Sequence, residues 1–243
     1  MLEELKEIVR EAGKIALDYQ AKAKVSLKED DSIVTTGDLA TSKFLEEKLS
    51  KWAPVLSEEN YNNKLTKEKV VFVIDPIDGT QSYAKHQESW SVLVALLENG
   101  IPTIGIVFQP STDKLYFSKK GEGSFLEHNG ETKRLKVNDE TKIAIISPNE
   151  LENDAYKKVL ENHNIESHNY YYGAGMKMVR IAEGDSDFYY SCSKKCSVWD
   201  LLAPLVILEE AGGFLNLPDN YRLGLDTPAV SVNFIAANKK ITL

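Results

Sequence analysis

Cysteine is scarce in this chain. The two present, Cys192 and Cys196, stand four residues apart with no further ligand at zinc spacing near them, so they read as free thiols of a reducing compartment. Positive charge is in deficit: 29 Lys and Arg against 37 Asp and Glu give a formal net charge of −8, which argues against nucleic acid as a partner. With so few cations, a phosphorylated ligand would have to be held by metal ions or by local lysines. No basic segment followed by an apolar core opens the chain. Residues 1–10 pattern as an amphipathic helix, and no signal peptide is expected. No apolar stretch approaches the length of a bilayer span, so no membrane partner is expected either. Repeats and low-complexity linkers are missing. The four histidines, His86, His128, His163 and His168, lie scattered in polar surroundings and take no assigned role. What remains, 42% hydrophobic and 27% charged over 243 residues, is the composition of a soluble globular enzyme, expected in the cytoplasm.

One stretch stands out from this background. Val70-Val71-Phe72-Val73-Ile74 is apolar and mostly β-branched without a polar break, as expected for a strand buried on both faces. It runs into Asp75-Pro76-Ile77-Asp78-Gly79-Thr80. Pro fixes φ, Gly permits a tight turn, and the amides beyond become free to face an anion. Two carboxylates at the mouth of a buried strand are costly without a positive partner. A hard divalent cation that takes oxygen ligands would supply one. A plain Asp-Pro turn with solvated acids is the competing reading of the stretch alone.

Apolar positions Leu2, Leu5, Ile8, Val9, Ala12, Ile15, Ala16 and Tyr19 recur at helical spacing and predict one helix over 2–22. Lys28-Glu29-Asp30-Asp31-Ser32 reads as a polar turn, and 39–49 as a second amphipathic helix. Asp38 stands at the start of that helix, where an acid is a favoured cap. Val55-Leu56 gives a short strand signal, followed by Ser57-Glu58-Glu59-Asn60 and a charged loop over 61–69. Apolar runs at 89–97, 101–108, 115–118 and 123–126 predict a meander, so an antiparallel sheet should fill 70–137. From 138 onward strands and helices alternate. Strands are expected at 143–147, 188–191 and 230–237, with a Tyr-rich extended segment at 165–172. Helices are expected at 150–162, from Gly173-Ala174-Gly175-Met176-Lys177, and from Trp199 to Glu210, stopped by Ala211-Gly212-Gly213. The pattern predicts an α/β chain, an α+β layered architecture in two closely packed lobes, 1–137 and 138–243.

Asp38, Glu58, Asp75, Asp78 and Asp200 all stand at element ends, where sheet mouths place sites. Singly, Asp38 and Asp200 read as helix caps and Glu58 as a solvated turn residue. Gathered together they would repel one another by several kcal/mol, so as a group they predict bound cations. The run Asp75-Pro76-Ile77-Asp78-Gly79-Thr80, with Glu58-Glu59 before it and Trp199-Asp200-Leu201-Leu202-Ala203-Pro204 after it, resembles the inositol monophosphatase superfamily. These are magnesium-dependent, lithium-sensitive phosphomonoesterases. Val34-Thr35-Thr36-Gly37-Asp38 and Glu210-Ala211-Gly212-Gly213 match two further motifs of that family in the same order.

The resemblance implies an αβαβα sandwich and two to three Mg2+ ions. Glu58, Asp75 and the Ile77 carbonyl would hold one ion, Asp75, Asp78 and Asp200 a second, and Glu58 a third largely through water. Thr80 and Asp38 would take the proton of the attacking water, and Glu58 counts with them as catalytic through the third ion. The amides of Gly79 and Thr80 would cradle the phosphate, and Asp200 would support the leaving oxygen through the second ion.

Within the superfamily, Gly173-Ala174-Gly175-Met176-Lys177, Ala182-Glu183-Gly184 and Lys194-Lys195-Cys196 look most like the 3'(2'),5'-bisphosphate nucleotidases. Lys177 would then hold the phosphate that is not cleaved, with Gly173 at the edge of the nucleotide pocket. The inositol-selective branch has a Glu seven residues before the motif Asp, where this chain has Ser193. Two features depart from the nucleotidases: a shorter segment before the Asp-Pro motif, and no His-containing loop near Ser147-Pro148-Asn149. Tyr170-Tyr171-Tyr172 would either stack an adenine or pack within a strand. The expected activity is hydrolysis of adenosine 3',5'-bisphosphate to AMP and phosphate. The alternatives are an inositol, sugar or small-alcohol phosphate as substrate, or a non-catalytic metal-dependent scaffold. The expected partner is a small phosphorylated substrate, bound by a monomer or homodimer.

Overall fold

A computed structural model describes residues 1–28, 32–61, 67–165, 167–171, 173–192, 196–219, 221–226 and 228–240. Helix α1 (Leu2–Gln20) buries Leu5, Ile8, Val9, Ala12, Gly13 and Ala16, an i, i+3, i+4, i+7 stripe that faces one way. An antiparallel ribbon follows, β1 (Val25–Leu27) paired with β2 (Ile33–Thr35), where the sequence reads only as a polar turn. Helix α2 (Thr36–Leu49) begins at a reciprocal capping box between Thr35 and Asp38, which satisfies amide donors that a helix start otherwise leaves open.

The large sheet comes next. β3 (Val55–Ser57) leads to β4 (Val70–Asp78), then to helix α3 (Thr80–Ala84) and the meander β5 (Ser91–Glu98), β6 (Ile101–Gln109), β7 (Lys114–Lys119), β8 (Gly123–His128) and β9 (Glu131–Arg134). Among the described residues these seven strands lie in chain order, with β3 parallel to β4 and the rest antiparallel. β4 is buried from Val71 to Asp78 because both of its faces are covered. Phe72 and Ile74 enter the core under α1 and α2, while Val71 and Val73 point to the opposite core. That alternation is the two-residue period of a strand.

The remaining elements build a second sheet: β10 (Ile143–Ile146), α4 (Asp154–Asn162), β11 (Ser167–Tyr170), α5 (Ala174–Glu183), β12 (Phe188–Ser191), the short β13 (Cys196–Ser197), α6 (Val198–Glu210), β14 (Phe214–Asn216), β15 (Ala229–Val230) and β16 (Phe234–Ala237). Its order is β11-β10-β12-β16-β14, while β13 pairs with β15 apart from it. Ile145, Tyr189, Phe234 and Ala236 face α5 and α6, whereas Ala144, Ile146, Phe188 and Tyr190 face Tyr156 of α4. The layers therefore run α1/α2, large sheet, α5/α6, second sheet, α4. This is the expected αβαβα sandwich.

The expected helix at 150–162 is divided. A 3-10 turn, Pro148–Glu152, precedes α4, with Asn153 capping α4 through its side chain. The expected strand at 230–237 is likewise two, β15 and β16, each paired with a different neighbour. α6 lies directly on the large sheet. A Cβ added at Gly105 of β6 would stand 2.2 Å from the Ala203 carbonyl oxygen, so only glycine lets helix and strand backbones approach this closely. Because α6 carries Asp200, that contact also fixes the depth of the site. Gly105→Ala is expected to cost about 1–3 kcal/mol through overpacking, read as the shift in urea midpoint at constant slope. A change below about 0.5 kcal/mol would mean that α6 can lift off β6 freely.

Candidate metal centre

The site forms where β4 ends. Pairing between β4 and β5 is regular down to Asp75 and shifts between Asp75 and Asp78, the stretch that contains Pro76 with no N–H to donate. The shift brings both acids to the end of the strand. Asp75 Oδ1 accepts the Ile77 amide at 3.0 Å. Gly79 has φ of 90°, and a Cβ there would meet the Ser89 carbonyl at 2.8 Å, so the turn that opens α3 requires glycine. The first residue of α3, Thr80, lies 3.2 Å through Oγ1 from the Ile77 carbonyl and 3.3 Å from Asp38 Oδ1.

The other acids arrive on helix starts. Asp38 Oδ2 accepts the Thr35 amide at 2.8 Å and the Thr35 hydroxyl at 2.5 Å, the capping box of α2. Asp200 Oδ2 accepts the Ser197 amide at 2.7 Å in the equivalent box of α6. Asp78 Oδ2 accepts the Gly175 amide at 2.9 Å from the first turn of α5. A Cβ at Gly173 or Gly175 would come within 2.5 Å or 2.9 Å of that Asp78 oxygen. Gly173 is thus placed at the site by its contact with Asp78. Glu58 follows β3, its amide bonded to the Ile74 carbonyl at 3.2 Å. Each of the four aspartates has one oxygen committed to a backbone amide, which fixes the direction of the whole carboxylate.

Glu58, Asp75 and Asp200 offer oxygens that all lie within 4.8 Å of one another. Asp78 adjoins this trio, and after burial its charge is the largest influence raising Asp200. Burial drives Asp75 well above the usual carboxylate range, with Glu58, Asp200 and Asp78 adding repulsion. Burial likewise pushes Asp78 up to about 6 against the amide bonds from α5, and Asp38 up to about 6 against its bonds from Thr35. Asp200 is raised well above its ordinary value for the same reason. Crowded carboxyls, buried or partly buried and all presenting hard oxygens, form a donor set suited to a hard divalent cation. The residues present therefore fit a metal centre.

Two basic residues stand differently from the sequence reading. Lys28, at the end of β1, reaches Glu58 at 2.7 Å and Glu59 at 2.8 Å. Burial opposes its charge, yet the two glutamates raise its pKa, while burial lifts Glu59 to about 7 despite Lys28. Only its place in a run of charges signalled it in the sequence. Lys177, expected to hold an uncleaved phosphate, is turned inward. Its side chain is 2% exposed, with Nζ 2.8 Å from Glu150 Oε2 and 4.4 Å from the centre of the Tyr189 ring. A buried ammonium needs a partner, and Glu150 provides it. Tyr170 bonds His168 through its hydroxyl at 2.7 Å, and Tyr171 packs beside Arg180. Tyr172, Ser193, Lys194 and Lys195 fall outside the described residues.

A model of the inositol monophosphatase family matches residues 1–242. The chain belongs to the inositol monophosphatase family. It is 30% identical over 227 residues to a 3'(2'),5'-bisphosphate nucleotidase CysQ of Aggregatibacter actinomycetemcomitans, covering 88% of this chain and 83% of that relative. An inositol-1-monophosphatase of Bacillus subtilis is 29% identical over 221 residues, covering 86% of this chain and 82% of its own length. The fold matches the crystal structure of CysQ from Bacteroides thetaiotaomicron with a TM-score of 0.78 at 22% identity, over 96% of this chain and 95% of that one. These relatives are phosphatases, and this family member is a phosphatase and hence a hydrolase. No helix among the described residues is long and apolar enough to cross a membrane.

The raised carboxyls give a sign for pH. Asp38 and Asp78 move from 3.8 to about 6 on folding, so the folded protein binds more protons than the unfolded one between those values. Their contribution to stability is full below about 4 and is lost as pH rises through about 6. A divalent cation competes with those protons. The rise in Tm on adding Mg2+ to chelator-treated protein should therefore be small at pH 5 and grow above pH 6. A Mg2+ effect that does not change over that range would contradict the cluster as the binding site.

Proposed function

We propose that this family member is a magnesium-dependent phosphomonoesterase that hydrolyses adenosine 3',5'-bisphosphate to AMP and phosphate. The observation that carries the hydrolytic reading is the convergence of Glu58, Asp75 and Asp200 within 4.8 Å, beside Asp78 and the Thr80–Asp38 contact. The choice of a nucleotide is supported by the 30% identity to a bisphosphate nucleotidase. Two to three ions held by Glu58, Asp75, the Ile77 carbonyl, Asp78 and Asp200 would neutralise the phosphate dianion and lower the pKa of the attacking water.

The remaining roles belong to the chain. The Thr80 hydroxyl stands between two acceptors, the Ile77 carbonyl and Asp38 Oδ1, and so has an oxygen lone pair directed away from both. It accepts a proton from water as its own passes to Asp38. Asp38 suits this task because burial has raised it to about 6, close enough to neutrality to take a proton and release it again. Its second oxygen stays bound to Thr35, so the transfer does not swing the side chain. The Gly79 and Thr80 amides, at the left-handed turn that opens α3, would orient the phosphate oxygens.

A second reading rests on Lys177. With its charge matched by Glu150 in the interior, it offers nothing to a second phosphate, which favours a monophosphate ester such as inositol 1-phosphate. Phosphate release from both compounds, measured at saturating Mg2+, separates the two: the nucleotide reading requires a higher kcat/KM for the bisphosphate, and the reverse ranking would replace it. Under either reading, Thr80→Ala and Asp38→Asn should each lower kcat by about 10²–10⁴ while changing KM little. Near-normal turnover in both variants would remove the pair from the proton path.

A further inference from the structure

Glu150 lies outside the acidic centre, in the 3-10 turn Pro148–Glu152 that follows β10. One of its oxygens, Oε2, accepts both the Ser147 amide at 2.5 Å and Lys177 Nζ at 2.8 Å. The turn is tied down a second time, by the Ser147 hydroxyl on the Tyr171 carbonyl at 3.0 Å. Glu150 and Lys177 are both buried, at 8% and 2% exposure, so this is an ion pair of the interior rather than a screened surface contact.

Lys177 belongs to the first turn of α5, and the backbone just ahead of it is what grips Asp78. That stretch, Gly173-Ala174-Gly175, has no side chain long enough to anchor itself. Both glycines are pressed against the Asp78 carboxylate, where neither could carry a Cβ. Met176 and Met178 are buried in apolar surroundings, which resist withdrawal but are indifferent to small slides and rotations. Besides the backbone amides that meet Asp78, this end of α5 carries a directional side-chain bond, Lys177 to Glu150, backed by the Tyr189 ring 4.4 Å from the ammonium. It resists both rotation of the helix about its axis and its translation along Asp78.

We infer that Glu150 is a positioning residue for the acidic centre: through Lys177 it sets the register of α5, and through the Gly175 amide the place of Asp78 among Glu58, Asp75 and Asp200. The inference rests on the metal-centre reading above. Glu150 touches no reacting group, and its effect is on how tightly the centre holds its ion.

Mg2+ affinity, measured by isothermal titration calorimetry on the full chain, tests this apart from turnover. Glu150→Gln and Lys177→Met should each remain folded by circular dichroism and bind Mg2+ about tenfold more weakly, the scale on which supporting partners of metal ligands act. The double variant should lose no more than either single one, because the two act as one contact. Tyr156→Phe is the control: it removes a buried hydroxyl that lies near Glu150 and bonds the Ile145 carbonyl, but leaves the Glu150–Lys177 pair in place, and should leave Mg2+ affinity unchanged. Wild-type affinity in the folded single variants overturns the inference. So does a hundredfold loss in the double variant, or a loss in Tyr156→Phe equal to that in Glu150→Gln. Should Glu150→Gln not fold, Lys177→Arg carries the same test, since it keeps the charge but changes the reach of the pair. Failure of the wild-type protein to bind Mg2+ would instead overturn the metal-centre reading itself, and this inference with it.

Discussion

Mutual repulsion among Asp38, Glu58, Asp75, Asp78 and Asp200 is the force that the rest of the molecule must contain. Burial removes the water that would screen the aspartates, and the neighbouring charges then make ionisation of Asp75 and Asp200 harder still. Left to itself such a cluster would swing apart. It is held because the acids are delivered by different elements, the end of β4, the residue after β3 and the starts of α2 and α6, and these are locked by the cores on either side of the large sheet. Apolar packing of the whole sandwich thus supplies the force that keeps like charges together.

Local chemistry decides how the acids point. Asp38 and Asp200 occupy the third helical position behind Thr35 and Ser197, so a helix-starting device worth about 1 kcal/mol also orients a carboxylate of the acidic centre. Glu150 is placed behind Ser147 in the same way, at the head of a 3-10 turn. One device therefore recurs three times, twice in the acidic centre and once in the interior support of α5. Lys28 adds a mobile-length side chain to the rim, balancing Glu58 and Glu59 where the centre meets solvent.

Much of this was legible in the residues. The run Val70 to Ile74 announced a strand covered on both faces, and its alternating contacts confirm that reading. Asp38 and Asp200 read as helix caps from the residues alone, although each acts together with the residue three before it, Thr35 and Ser197. What escaped were elements without an apolar period. β9 is exposed throughout, and β1 and β2 make a ribbon of three-residue strands, so neither leaves a hydrophobic signature. The Lys177–Glu150 pair left no trace for a different reason. Glu150 stands 27 residues away from Lys177 on a turn whose position depends on the second sheet, and no local pattern reports such a pairing.

The tethering of one oxygen on each aspartate reaches beyond orientation. An incoming cation meets donors whose torsions were already frozen when the chain folded, so little further conformational entropy is surrendered on capture. Such a shell is also slow to spread. Calcium needs longer bonds and more oxygens than magnesium, and carboxylates pinned by backbone amides cannot easily open to provide them. Discrimination between the two ions at such a centre would then be a property of helix starts and strand ends, written into the backbone before any ion arrives.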